Sequence, residues 1–236
     1  MIFITTFVGT VLFSVVFKKP IKRFAIIFYV LALAVSILYL ASFYNWITVN
    51  LHPLYSLIMQ KGILGMAFMV IVMFIGVFRE ESRVRKYLMP IRGELSIIGS
   101  LLLIVHIVRR LTNYITIVFY GAAASTHIVA AFWISLTIFI LLLLLAVTSF
   151  NVIRKLMDAR FWKRLQTLAY PFFILVYAHI MLFLFPAALA GGSTAKESVI
   201  VYTVVFVAYG VLRIWAQLIK IKTRKISLNI EEALST

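Results

Sequence analysis

The sequence predicts an all-α integral membrane protein of about seven transmembrane helices. Three observations carry that fold class. Hydrophobic residues fill 64% of the 236 positions and the mean hydropathy is +1.09, well above the roughly half-apolar composition of soluble domains. The apolar residues fall in long runs, and backbone exposed to lipid satisfies its hydrogen bonds internally only as helix or closed barrel. The period-2 alternation of a barrel is absent, which leaves helices.

The runs justify the spans in order. Residues 1–17 are apolar and their charges, "KKPIKR", follow rather than precede the run. That order describes a first span with its N-terminus outside, not a cleaved signal. Further spans fall at about 24–44, 62–78, 94–110, 127–150, 169–187 and 199–219. Each is near the ~17–25 residues a bilayer requires, the first and fourth at the short end. Connections 18–23, 79–93, 151–168 and 220–236 hold 18 of the 23 Lys and Arg residues. The alternate connections 45–61, 109–126 and 188–198 hold 4, and Arg213 lies near the inner end of the last span, where a long side chain can snorkel. The asymmetry predicts an N-terminus outside, a cytoplasmic C-terminus and a multi-pass protein of the cell inner (cytoplasmic) membrane.

The same placement explains the formal charge of +16. In a soluble chain it would suggest nucleic acid. Here the cations sit in short loops, as topology signals and lipid-headgroup contacts, and no nucleic-acid partner is expected. Residues 220–236 form a short cytoplasmic tail, and neither GxGxxG nor GxxxxGK[ST] occurs. The sequence therefore predicts one membrane domain, with any NAD(P)H-using module in a separate protein.

Cysteine is absent, which excludes disulfides, thiolate catalysis, iron–sulfur clusters and cysteine-ligated zinc or haem. The seven acids, Glu80, Glu81, Glu94, Asp158, Glu197, Glu231 and Glu232, lie in loops, in the tail or at a span edge. Coupled transporters usually need a carboxylate within the membrane, so the composition argues against one.

The four histidines are His52, His106, His127 and His179. Counting from Glu94, His106 lies about 18 Å along the fourth span, and counting from Ala169, His179 lies about 15 Å along the sixth. Both spans run outward, so two imidazoles on different helices reach nearly one depth, to the outer side of the midplane. Facing imidazoles in an apolar bundle suit bis-histidine ligation of a b-type haem. Arg109 and Arg110 follow His106 by three and four residues, one turn toward the outer surface on or beside its face. There they are placed to meet outward-pointing propionates. The plainer reading makes each histidine a helix–helix hydrogen-bonding residue and the arginines headgroup markers. His52 and His127 read as interfacial residues, with a ligand or outer metal role as the alternative.

Two stretches carry a resemblance. "IRGELSIIGSLLLIVHIV" and "LAVTSFNVIRKLMDARFWKRLQTLAYPFFILVYAHIMLFL" resemble the ferric-reductase-like transmembrane domain superfamily, closest to its MsrQ/YedZ haem-binding membrane subunits. Thr148, Ser149, Trp162, Leu165, Tyr170 and His179 occupy the family's positions in the second stretch. The resemblance implies a six-helix haem-binding core over residues 24–219, with residues 1–23 an extra N-terminal helix and basic loop. His106 and His179 become the axial ligands and metal-binding residues, and Arg109 and Arg110 contact the cofactor. Family members often hold a second haem near the inner leaflet. Gly93 and Gln166 stand thirteen residues before the two histidines, and neither is a usual ligand, so one haem b is expected.

The implied function is transmembrane electron transfer. The donor would be a cytoplasmic flavoprotein or a membrane flavin or quinol. The periplasmic or extracellular acceptor would be a reductase, an FMN-binding protein or ferric iron. FMN or FAD at the cytoplasmic side is a further expected cofactor, with Arg83, Arg85, Lys86, Arg92, Lys163 and Arg164 available for its phosphate or for an acidic donor. The positive-inside rule alone is the favoured account of those six cations. Trp162, Tyr170 and Phe172 line an electron route or anchor the inner interface. The competing function is a cofactor-free transporter or assembly subunit. A seven-helix receptor rests on span count alone.

Overall fold

The computed structural model describes residues 2–49, 51–120 and 126–235. The connection at 121–125 and the side chains of the tail charges Arg224, Lys225, Glu231 and Glu232 lie outside the described residues. Among the described residues every regular element is helical. In order they are α1 (Ile2–Val16), α2 (Lys18–Arg23), α3 (Ala25–Phe43), α4 (Pro53–Gln60), α5 (Ile63–Ile75) and α6 (Arg83–Leu88). A 3₁₀ turn, Met89–Ile91, leads into α7 (Arg92–Ile115) and a π-turn, Thr116–Tyr120. Then come α8 (Thr126–Val147), α9 (Asn151–Leu156), α10 (Ala159–Gln166), α11 (Ala169–Leu189) and α12 (Ser193–Ser235).

Five helical stretches are long and apolar enough to cross a membrane: Ala25–Phe43, Arg83–Ile115, Thr126–Val147, Ala159–Leu189 and Ser193–Lys222. A sixth is the pair α4 and α5, bent by 54°. The chain is a multi-pass membrane protein on that basis. Two expected boundaries shift. The span expected at 62–78 is the second limb of the bent pair, which opens at Pro53. The span expected at 94–110 belongs to a longer helical stretch that runs on to Ile115, so Arg109 and Arg110 lie within a helix rather than at its end. The first apolar helix, Ile2–Val16, has 15 residues, about 22 Å at the α-helical rise.

Packing explains which helices are central. In α5, "ILGMAFMVIVMFI" is apolar all round and 11 of its residues are buried, as expected of a helix enclosed on every side. One of its faces joins Phe3, Leu142, Phe173 and Phe206 from α1, α8, α11 and α12. The other joins Ile21, Tyr39, Leu95, Ile98, Leu102 and Val105 from α2, α3 and α7. The α5–α7 crossing is close because both helices carry glycine there. A Cβ on Gly65 would stand 2.8 Å from the Gly99 carbonyl oxygen and 2.6 Å from Leu103 Cγ, and one on Gly99 would stand 2.8 Å from Phe68 Cβ. Small residues that let two backbones approach are a main means of helix association in lipid, where burial itself gives no drive. Ser36 adds an interhelical bond, its hydroxyl donating to the Leu101 carbonyl at 3.1 Å.

The basic connections converge on one end of this bundle. Lys22 on α2 donates to the Pro90 carbonyl at 2.9 Å and pairs with Glu94 at 3.3 Å. Tyr87 on α6 donates to the Val15 carbonyl, and the Tyr29 ring meets Phe150 at 5.8 Å. Three arginines close the C-terminal end of α5. Arg92 Nε donates to Val72 O at 2.9 Å, Arg213 to Gly76 O at 3.3 Å, and Arg85 to Phe78 O at 2.8 Å. Cations suit that end, where unpaired carbonyls and the helix dipole are both negative.

Candidate functional site

The two intramembrane histidines meet. His106 on α7 and His179 on α11 have ring centroids 6.4 Å apart and planes at 86°. Each ring is oriented by a partner from another helix. Between α4 and α5 the chain turns through Gly62 at φ +66°, a conformation open to glycine at little steric cost. The break interrupts the helical ladder, and the freed Gln60 carbonyl lies 2.8 Å from His106 Nδ1. A Cβ on Gly62 would stand 3.2 Å from His106 Cβ, so the turn also lets the ring in. A carbonyl only accepts, so Nδ1 carries the proton and Nε2 keeps its lone pair.

His179 reaches the same state by a different route. Its Nδ1 lies 3.0 Å from Ser135 Oγ on α8. The single hydroxyl proton of Ser135 goes to the Ala131 carbonyl at 2.6 Å, so the serine oxygen accepts and His179 Nδ1 donates. When neutral, both imidazoles are thus the Nδ1–H tautomer with Nε2 available. That is the state in which a histidine ligates a metal, with its other nitrogen tied down by a carbonyl or hydroxyl.

The separation bears on what the pair can hold. Two metal–nitrogen bonds of about 2 Å in line, with about 1 Å from each nitrogen to its ring centre, give centres about 6 Å apart. The pair at 6.4 Å is close to that separation, so His106 and His179 are the residues that would hold one iron between them. No group of three or more His, Cys, Asp or Glu residues is placed to hold a metal among the described residues. A porphyrin needs only two axial ligands from the protein, so two imidazoles suffice for haem and not for a bare ion in a four-ligand cage. Phe183 covers His179 at 5.2 Å, and Tyr114 in turn meets Phe183 at 6.3 Å, so the surroundings are aromatic.

The two arginines part company. Arg110 is near enough for its charge to act on both imidazoles, and Arg109 for its charge to act on His106. Arg109 turns to α3, where Nη1 donates to Tyr39 Oη at 3.2 Å and the guanidinium lies 4.4 Å from the Phe43 ring centre. His52 caps α4, its Nδ1 accepting from the Leu54 N–H at 3.2 Å. His127 is exposed at the start of α8. Neither is drawn to the pair.

At the basic end, Gly93 and Gln166 line a single cavity of about 360 Å³. Trp162, assigned to electron passage or anchoring, lines it too, with its Nε1 donating to the Thr148 carbonyl at 2.9 Å. Gln166 Nε2 donates to Thr148 Oγ1 at 3.0 Å. Of the six cations expected to serve an inner phosphate, Arg92 lines the cavity. Arg85 is instead taken by the Phe78 carbonyl and by Glu80 at 3.5 Å. Lys22 and Arg154, which were not singled out, do line it.

No family model matches the chain. A protein of Treponema pallidum (strain Nichols), named only as uncharacterized, is 32% identical over 205 residues, covering 83% of this chain and 55% of that protein. The chain thus spans about half the length of that relative. No solved structure matches.

Proposed function

We propose that the chain is a membrane electron-transfer subunit of the ferric-reductase-like, MsrQ/YedZ type, carrying one haem b between His106 and His179. One observation carries the reading: two imidazoles from different helices meet with ring centres 6.4 Å apart, each with Nδ1 engaged by a neighbour. The haem, when bound, supplies one-electron chemistry. The protein's share is to ligate through the two Nε2 atoms, to fix both rings through Gln60 and Ser135, and to surround them with aromatic side chains. Arg110 offers positive charge beside the pair, suited to a propionate.

In this reading the chain crosses the membrane seven times: the five long stretches, the bent α4–α5 pair, and α1, whose short length is made up by local thinning of the bilayer. The end where the basic connections converge faces the cytoplasm of an inner membrane. Electrons enter there from a flavoprotein, a flavin or a quinol and leave outward to a reductase, an FMN-binding protein or ferric iron. Histidine substitution tests the reading. His106→Ala and His179→Ala lose the b-type absorbance of the dithionite-reduced protein, while His127→Ala keeps it at one haem per chain. Normal haem in either of the first two variants refutes ligation.

A second reading has its own observation. His106 already satisfies a carbonyl freed at a helix break, and His179 already joins α11 to α8 through Ser135. Both would then be packing residues of a cofactor-free transporter or assembly subunit. Colourless protein from cells supplied with haem favours that reading.

A further inference from the structure

We propose that the cavity at the basic end binds the phosphate of an anionic phospholipid from the adjoining leaflet. Its lining has two characters. The floor is apolar, with Met69 and Met73 of α5, Leu142 and Leu145 of α8 and Phe172 of α11. The rim carries three cations from three elements: Lys22 of α2, Arg92 of α7 and Arg154 of α9. Glu94 is the one carboxylate in the lining, and Lys22 already pairs with it at 3.3 Å. Arg92 and Arg154 are therefore the excess positive charge. Among the described residues, Arg92 spends one of its five N–H donors on the Val72 carbonyl, and Arg154 spends none, its guanidinium carbon 4.6 Å from the Trp162 ring centre. Two guanidiniums with donors in hand beside an apolar floor match an anion attached to hydrocarbon, and guanidinium is the cation that grips phosphate oxygens in pairs.

The surroundings favour a lipid over a soluble phosphate. Short helices α2, α6, α9 and α10 each place two cations in their last turn. Lys22, Arg154 and the pair Trp162–Gln166 bring three of these helices to the cavity. Short basic helices with apolar partners sit at the headgroup level of a bilayer, where anionic lipid is concentrated. A volume of about 360 Å³ is at the small end of ligand sites. It suits a headgroup whose acyl chains continue into the bilayer.

This inference stands whether or not the histidines hold haem. Full-length protein in neutral detergent, stripped of lipid, is titrated with dioleoyl-phosphatidylglycerol and followed by native mass spectrometry. Dioleoyl-phosphatidylcholine, inorganic phosphate and FMN are the comparison probes. The expected result is one retained phosphatidylglycerol per chain and no comparable phosphatidylcholine. Arg154→Gln weakens retention about tenfold, the scale of one charge-assisted hydrogen bond. Arg160→Gln, an exposed cation on α10 outside the cavity lining, leaves it unchanged. Arg92→Gln is a second variant, but Arg92 also holds the end of α5, so Arg154→Gln decides. Equal retention of the two lipids, or equal retention by Arg154→Gln and Arg160→Gln, overturns the proposal. Displacement of phosphatidylglycerol by FMN or phosphate at similar concentration overturns the lipid source and assigns the cavity to a soluble phosphate. Reduced-haem absorbance on the same samples keeps this outcome separate from the electron-transfer reading.

Discussion

Two levels of α7 treat polar groups in opposite ways. At its first turn, Arg92 and Glu94 belong to a cluster in which cations outnumber carboxylates and several positive groups lean on backbone carbonyls. Further along the helix, before Arg109 and Arg110, His106 joins a pair of imidazoles in which each Nδ1 has one partner and, in the neutral rings, each Nε2 lone pair is left over. The difference follows from depth. A charged side chain survives where water or a headgroup is within reach of its tip, whereas a polar group further in is tolerated when neutral and hydrogen-bonded. The cationic end is therefore built to attract anions. The histidine level is built to offer lone pairs, the chemistry a metal needs.

Both levels hang on the α5–α7 crossing, and breaking it should have the largest effect. Gly65→Leu places a Cβ 2.6 Å from Leu103 Cγ and 2.8 Å from the Gly99 carbonyl, and backbone cannot yield as a side chain can. Overpacking of this kind costs about 1–3 kcal/mol at sites that relax, and this one has backbone on the far side. The variant should lose most monodisperse protein on gel filtration in detergent. A normal yield with an unchanged melting temperature would mean that the helices cross elsewhere.

The next effect sharpens the histidine level. Ser135→Ala removes the acceptor of His179 Nδ1 while leaving the ring in place. Loss of such an outer partner typically weakens metal binding about 10–100-fold. Haem should titrate into the variant with correspondingly lower affinity, and Ser135→Thr, which keeps a hydroxyl, should recover part of it. If Ser135→Ala binds haem as well as the parent, the serine is a packing contact and not part of the site.

At the cationic level, Lys22→Met leaves Glu94, which is 6% exposed, without its pairing cation. The Lys22 side chain is itself half exposed, so the pair is well screened and the expected loss is about 1 kcal/mol. It is read as a small drop in melting temperature at neutral pH that disappears in Lys22→Met/Glu94→Gln. A drop in the double variant equal to that in the single one would show that the lysine acts through Pro90 and not through the carboxylate.

How much of this was legible in the sequence differs between the two levels. The apolar runs marked the long helices because lipid demands length and hydrophobicity, both of which are local properties. The charge asymmetry marked the connections that meet at one end, again by composition. Counting rise per residue put His106 and His179 at a similar depth, and their rings do meet. The partners that orient those rings were out of reach. The Gln60 carbonyl becomes available because Gly62 breaks a helix, and Ser135 is free to accept because its proton goes to Ala131. Both facts are local, but the contacts that bring His106 and His179 to these groups join residues more than forty apart. The bend itself was hidden because residues 53–61 fall in the connection expected at 45–61, and a broken span has no hydropathy signature of its own. Ser135 did leave a trace, as a hydroxyl in the middle of the apolar run of α8.

Arg109 and Arg110 show the limit most sharply, and they give the smallest expected effects. Spacing of three and four residues from His106 puts both on its side of the helix, so the sequence offers them one role. The structure separates them. Arg109→Gln removes the bond to Tyr39 and the contact with Phe43, worth about 0.5–1 kcal/mol at an accessible site; in the electron-transfer reading it should move the midpoint potential less than Arg110→Gln does, because its charge acts on His106 alone and Arg110's on both rings. Arg110→Gln should leave the melting temperature within the range of ordinary surface substitutions, about 0.5 kcal/mol, yet move the midpoint. A cation beside the pair disfavours the oxidised, more positive state of an iron held there, so removing it should lower the potential. A potentiometric titration of the two variants decides between the roles. If Arg109→Gln shifts the potential and Arg110→Gln does not, the propionate contact belongs to the arginine that now rests on the aromatic rings of α3, and ligand binding must pull it away from Tyr39.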